Sequence, residues 1–350
     1  MLKRLQSRPR WQRILVFMAL VLLVIGGMLA ITLPIVSYGY NDTPRSTAVA
    51  MLESLTVREF APLPDANAYP AALALAPDGT LYTGSYVNGT VWQITPEGTV
   101  TAIAGTGDAI GAVTGLDVAP DGTLYILDRL TPLETRGAII WQIAPDGALT
   151  KIVDVATATL RLPYDVAVDA AGSLYISDAY PQAPLIWRYN LATATGENWW
   201  QLPAGSSPTR LIYNLQDETL LVSDTSNNIL YSVPIQASNP AENATALYEF
   251  TGSLAETPGL EGITVAPDKR IFVSALGLNR VAQLNVETGT LDYLAGAFRG
   301  SSDIAYDAAR QRLYVTNWEQ RSLLPELFLI FQIDILPHLP FAIDVIEWNN

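Results

Sequence analysis

The 350-residue chain is 49% hydrophobic and carries 24 Gly and 23 Pro, enough apolar material for one large core or a ring of sheets, with turn formers to join many short strands. It contains no Cys, which excludes disulfides, thiolate zinc sites and a cysteine nucleophile; its one histidine, His338, lies far from any nucleophile-elbow motif, which excludes a Ser-His-Asp triad. The formal net charge is −14; residues 1–13 contribute +5, leaving −19 on the remainder, and so acidic a body argues against nucleic acid or another polyanion as partner.

At the N-terminus, Lys3, Arg4, Arg8, Arg10 and Arg13 form a basic flank (residues 1–13) without an acid, and residues 14–36 follow without a charged side chain. That apolar run can span a hydrocarbon core of ~30 Å. The basic flank predicts a single-pass anchor in the cytoplasmic membrane with the rest of the chain on the extracytoplasmic side. A cleaved signal peptide is the rival; its apolar region is normally ~7–15 residues with an Ala-x-Ala-like site, and neither feature is evident. Residues 37–54 read as a polar juxtamembrane linker, and residues 55–350 as the folded body.

The body is built on a repeat. Between residues 71 and 105, apolar runs at 73–75, 81–83, 91–94 and 100–104 are separated by Asp78-Gly79, Asn88-Gly89 and Pro96-Glu97-Gly98. Alternating apolar runs bounded by Asp-Gly and Asn-Gly predict a four-stranded antiparallel meander. Asp121-Gly122-Thr123-Leu124-Tyr125 repeats Asp78-Gly79-Thr80-Leu81-Tyr82, and weaker echoes place equivalent residues at Leu174, Leu220, Ile271 and Leu313. The steps of 43, 50, 46, 51 and 42 residues match one propeller blade each, ~40–50 residues. The chain is therefore expected to be all-β, a six-bladed β-propeller of four-stranded antiparallel blades preceded by one transmembrane helix. Residues 55–61 look like a fourth strand without a blade of their own and should close the ring by completing the last one. In that last blade, residues 328–335 read as the third strand, while residues 341–348 compete with 55–61 for the outer position. Residues 130–137 read as an insertion in blade two.

Ligand sites in such a ring form on the axis, where the loops lead into each innermost strand. The repeat places Ala71, Thr114, Tyr164, Thr209, Glu261 and Ser302 just ahead of those strands, with Ala72, Gly115, Asp165, Arg210, Gly262 and Asp303 as their next neighbours. Three carboxylates, Glu261, Asp165 and Asp303, thus face one tunnel. The bland reading makes Glu261 a loop cap accepting backbone N–H bonds and gives Asp165 and Asp303 a repeated structural hydrogen bond. Asp128, Asp178 and Asp224 read as turn formers, and Trp92, Trp141 and Trp187, at one repeat position, as packing between blades. Trp318, in Asn317-Trp318-Glu319, has no apparent counterpart in the other repeats.

The apolar-Asp-Gly-x-Leu-Tyr blade pattern, with Leu162-Pro163-Tyr164-Asp165-Val166 and Leu260-Glu261-Gly262-Ile263, resembles the senescence-marker-protein/gluconolactonase family and the wider group of NHL-repeat, strictosidine-synthase-like and paraoxonase propellers. The resemblance covers roughly residues 55–335 and is specific for fold rather than activity. It implies, for lactone hydrolases, a divalent cation held by a Glu, an Asn and an Asp that would stand at 71, 164 and 209; here those positions are Ala71, Tyr164 and Thr209. No catalytic residue or cofactor is therefore assigned, and Glu261 is the one candidate metal ligand.

Two functions remain. The first is a membrane-anchored binding module holding a small ligand or partner protein on its axial face through Glu261, Asp165, Asp303, Tyr164, Arg210 and Trp318. The second is a lactone or ester hydrolase with a rearranged site for Ca²⁺ or another divalent cation.

Overall fold

Asp78 shows how a blade is made. Its Oδ1 accepts the amide of Thr80 at 2.8 Å, while Gly79 takes φ 90° and donates to the Ala76 carbonyl at 2.9 Å. A side chain at Gly79 would be strained there, so the Asp-Gly pair sets the reversal between Pro70–Leu75 and Leu81–Ser85. The same device recurs at Asp121-Gly122, where Asp121 accepts from Thr123 at 2.9 Å and Gly122 takes φ 87°.

The computed structural model describes residues 9–41, 48–65, 67–131, 137–318 and 341–349. Six antiparallel sheets follow one another, and their innermost strands are Pro70–Leu75, Val113–Val118, Pro163–Val168, Pro208–Asn214, Leu260–Val265 and Ile304–Asp307. The six-bladed propeller expected from the repeat is the fold. Its core is divided among the gaps between blades: Leu127 and Ile140 of blade two pack on Val166 and Trp187 of blade three, and Tyr314 and Val345 of blade six pack on Leu73 and Trp92 of blade one. Trp92 and Trp187 are buried there, and Trp141, partly buried, donates its Nε1–H to Asp128 at 3.2 Å.

Closure differs from the expectation in one respect. Leu55–Pro62 is the outermost strand of blade six, but its neighbour, the third strand, is Ala342–Trp348, paired from Leu55 with Trp348 to Pro62 with Ala342. Residues 341–348 therefore do not compete for the outer place, and residues 328–335 lie outside the described residues. The burial patterns give the reason. An inner strand is covered on both faces, and Ala342 to Ile346 are all buried; an outer strand meets solvent, and Leu55–Pro62 carries Thr56, Arg58 and Glu59 on its more open positions.

The chain also joins the ring earlier than residue 55. Val49 and Ala50 pair with Gly296 and Ala295, adding a short fifth strand to blade five. The N-terminal unit is separate and is described by itself: Arg10–Asn41 is one helix, and its stretch Arg10–Ala30, with mean hydropathy 2.5, is long and apolar enough to cross a membrane by length and composition, a property that signal sequences share.

Candidate functional site

Asp165 and Asp303, at equivalent places in blades three and six, lock neighbouring blades together at the axis. Asp165 Oδ2 accepts the amide of Leu211 in the next blade at 2.9 Å, and Asp303 Oδ2 accepts that of Leu73 at 2.8 Å. Gly115 and Gly262 precede these aspartates around the ring. A Cβ on Gly115 would stand 2.6 Å from Asp165 Cα, and one on Gly262 would stand 2.7 Å from Asp303 Cα. No larger residue fits against either aspartate's backbone.

Arg210 occupies the centre. Its Nη1 donates to the Thr114 carbonyl at 2.8 Å and its Nη2 to the Ala71 carbonyl at 2.5 Å, so one side chain from blade four ties blades one and two. Asp165 Oδ1 lies 3.6 Å and Asp303 Oδ2 4.0 Å from Nη1, and Glu261 Oε2 lies 3.5 Å from Nε. The three carboxylates thus converge on a guanidinium. Burial opposes the charge of Arg210, but Asp303, Asp165 and Glu261 more than offset this and hold its pKa above the ordinary value. Burial in turn raises the acids, against the pull of Arg210: Asp165 and Asp303 stand above the usual carboxylate range, and Glu261 reaches about 7. Asp117, further along its strand, is also pushed by burial to about 7, although it accepts amides from Val118 and Val168.

Glu261 departs from the loop-cap expectation. Its partner is Arg210, whose Nε stands 3.5 Å from Oε2 and pulls against the effect of burial. It faces a cavity of about 90 Å³, whose lower tier is Ala71, Thr114, Tyr164, Arg210, Glu261 and Ser302. Burial, and then the Glu261 charge, push the Tyr164 hydroxyl up to about 12.

An upper tier escaped the sequence reading. Tyr86, Leu276 and Trp318 line the mouth of the same cavity. Each stands five residues beyond the apolar residue that marks its second strand, Leu81, Ile271 and Leu313. Arg129, at that position in blade two, donates from Nη1 to the Tyr86 hydroxyl at 3.2 Å, and the Tyr86 and Trp318 rings meet at 73° with centroids 6.4 Å apart. Trp318 therefore has counterparts after all. The residue before it is the marker: Asp128 accepts from Ala112 at 3.0 Å, Asp178 from Leu162 at 2.8 Å, Asp224 from Ser207 at 2.8 Å and Asn317 from Arg299 at 2.8 Å. Each clamps the loop entering its blade, and in blade six this holds Trp318 at the cavity.

The cation site implied by the resemblance does not fit these residues. Ala71 offers only its carbonyl, already accepting from Arg210 and from Ser302 Oγ at 3.0 Å, and Thr209 Oγ1 is engaged by Thr225 Oγ1 at 2.5 Å and Ser223 Oγ at 3.3 Å. Among the described residues no group of three acids or histidines is spaced to hold a metal ion, and His338 lies outside them.

Solved structures of the same shape place this ring among known ones. A gluconolactonase of Xanthomonas campestris is 15% identical, with 88% of this chain and 99% of that one covered at a TM-score of 0.60. The chain has the propeller fold of gluconolactonase-like proteins. A virginiamycin B lyase of Staphylococcus aureus aligns at 14% identity over 84% of this chain and 99% of that one, TM-score 0.53. An auxiliary nutrient binding protein of Bacteroides thetaiotaomicron aligns at 9% identity over 87% and 77%, TM-score 0.60. No family model and no curated relative matches the sequence. At these identities the likeness carries the fold and nothing finer.

The pKa of Glu261 has a consequence for stability. The carboxyl ionises at about 7 when folded and near 4.5 when unfolded. Between those values the folded chain holds more protons, so its contribution is present below pH ~4.5 and is lost as pH rises toward 7, by about 3 kcal/mol. The melting temperature should fall from about pH 5 to 7.5, and Glu261→Gln should flatten that slope without abolishing it, because Asp117, Asp165 and Asp303 titrate in the same sense. An unchanged slope would remove Glu261 from the account.

Proposed function

We propose that this protein is a membrane-tethered, extracytoplasmic binding module whose axial cavity holds a small ligand. The observation carrying this reading is Arg210. It holds Glu261, Asp165 and Asp303 around its own guanidinium, so the acids that a hydrolase of this shape would turn toward a divalent cation are committed to an internal ion cluster. Tyr86 and Trp318 line the same cavity as Glu261, a buried carboxyl whose paired cation is Arg210. A pocket with largely apolar walls and few polar groups is what small-molecule sites commonly offer. The basic flank and the helix Arg10–Asn41 support the tether, and the Bacteroides nutrient binding protein provides a precedent for binding on this fold.

The alternative is a lactone or ester hydrolase with a rearranged cation site, favoured by the likeness to gluconolactonases. The experiment is direct. The purified protein should hydrolyse gluconolactone and aryl esters no faster than a protein-free blank, with or without millimolar calcium. A site saturated a hundredfold would add ~2.7 kcal/mol of stability, so the melting temperature should not respond to calcium either. Calcium-dependent turnover lost in Glu261→Gln would establish the hydrolase instead.

A further inference from the structure

We propose that the axial cavity is a receptor for a small organic cation, an alkylammonium head group seated over Glu261 and enclosed by Tyr86, Tyr164 and Trp318. The inference rests on the binding-module reading and names the chemistry of the ligand.

Glu261 is 6% exposed and lines the cavity, and Arg210 Nε, 3.5 Å from Oε2, is the one cationic group paired with it among the described residues. A buried carboxyl normally gathers donors, and leaving one without them is costly. The nearest donor group, Arg210, directs its two terminal nitrogens at the carbonyls of Thr114 and Ala71. Its Nε stands 3.5 Å from Glu261 Oε2, and an incoming cation would supply a second, cavity-side partner. Aromatic faces attract cations through their quadrupoles, and rings grouped around a carboxylate are the common way to hold an alkylammonium. Here Tyr86 and Trp318 meet nearly at a right angle across the mouth and Tyr164 lies below them.

Charge points the same way. Three acids surround Arg210, so the cluster is short of positive charge when they ionise. The chain after residue 13 carries −19, a field that steers cations toward it. An anion finds less. The guanidinium beside the cavity is spent on carbonyls and carboxylates, and Arg129 is held to Tyr86 rather than lining the cavity. At about 90 Å³ the cavity has the volume of about three waters at ~30 Å³ each, suited to a head group rather than a large molecule.

The test uses the full chain in a non-ionic maltoside detergent, with ligand binding followed by saturation-transfer NMR. The probes are tetramethylammonium, the neutral near-isostere tert-butanol, and acetate. Tetramethylammonium should saturate a site that the other two do not occupy at equal concentration. Glu261→Gln should weaken it at least tenfold and Trp318→Leu at least fivefold, with the melting temperature of each variant confirming that it is folded. Equal binding of tert-butanol or acetate, or an unchanged affinity in both variants, would overturn the cation assignment while leaving the binding module standing. Binding of none of the three would overturn both.

Discussion

Replacing Arg210 with Met should destabilise the propeller by about 3–5 kcal/mol, the usual cost of removing one partner from a buried ion cluster. The side chain is 3% exposed, donates to carbonyls in two other blades and faces three buried carboxylates. Its loss leaves the Thr114 carbonyl without that donor and three acids without a counter-charge. For a protein of this size the melting temperature should drop by roughly 6–15 °C. Arg210→Lys should recover little, because an ammonium is a point charge and lacks the planar fork that reaches Ala71 and Thr114 together. Neutralising the acids should recover more. In Arg210→Met with Asp165→Asn and Asp303→Asn, each Asn keeps an oxygen for the amide of Leu211 or Leu73, and of the three acids only Glu261 is left without its counter-charge. Thermal melts of the four proteins decide the matter: a single variant as stable as the parent, or a triple variant no better than the single, would show that Arg210 is not the centre of the ring.

That cluster shows what the sequence made legible. The repeat register placed Glu261, Asp165, Asp303 and Arg210 at the head of innermost strands, and all four meet on the axis. The inter-blade hydrogen bonds of Asp165 and Asp303 follow from their shared position. Register cannot tell which way a long side chain turns, so the passage of Arg210 across the axis to blades one and two was invisible. The upper tier was hidden for another reason. Tyr86, Arg129, Leu276 and Trp318 share a position but no chemistry, so no residue pattern marks them; an acceptor one place earlier, Asp128 or Asn317, signals only Arg129 and Trp318, while Ser85 and Ala275 precede the other two. Blade six was misread because residues 319–340 separate its second strand from its third, which displaces Ala342–Trp348 far from the interval kept by the other blades.

A chain beginning at residue 63 should fail to form a stable ring, whereas chains beginning at residue 48 or 55 should fold. The outer strand Leu55–Pro62 pairs along the whole of Ala342–Trp348. It also brings Arg58, whose Nε and Nη2 each reach a Glu347 oxygen at 2.9 Å, alongside Arg312 Nε at 2.8 Å from the same carboxylate. Beneath it Leu55 and Ala61 are buried, Leu55 against the gap between blades five and six and Ala61 against that between six and one. Removing the strand uncovers both gaps and frees a row of N–H and C=O groups on Ala342–Trp348, an edge that templates pairing with another chain. Each fully buried Leu-sized side chain is worth about 1.5–3 kcal/mol, and the lost ladder adds to that against a total stability of only ~5–15 kcal/mol. Beginning at residue 55 forfeits the two-residue strand Val49–Ala50, with Val49 exposed, the bond from the Met51 amide to the Leu294 carbonyl and those from Asn349 to the Glu53 and Ser54 carbonyls, and should shift the melting temperature by a few degrees. The chain from residue 63 should aggregate or melt well below the other two by circular dichroism. If all three melt together, blade six holds without its outer strand and the ring is closed by packing alone.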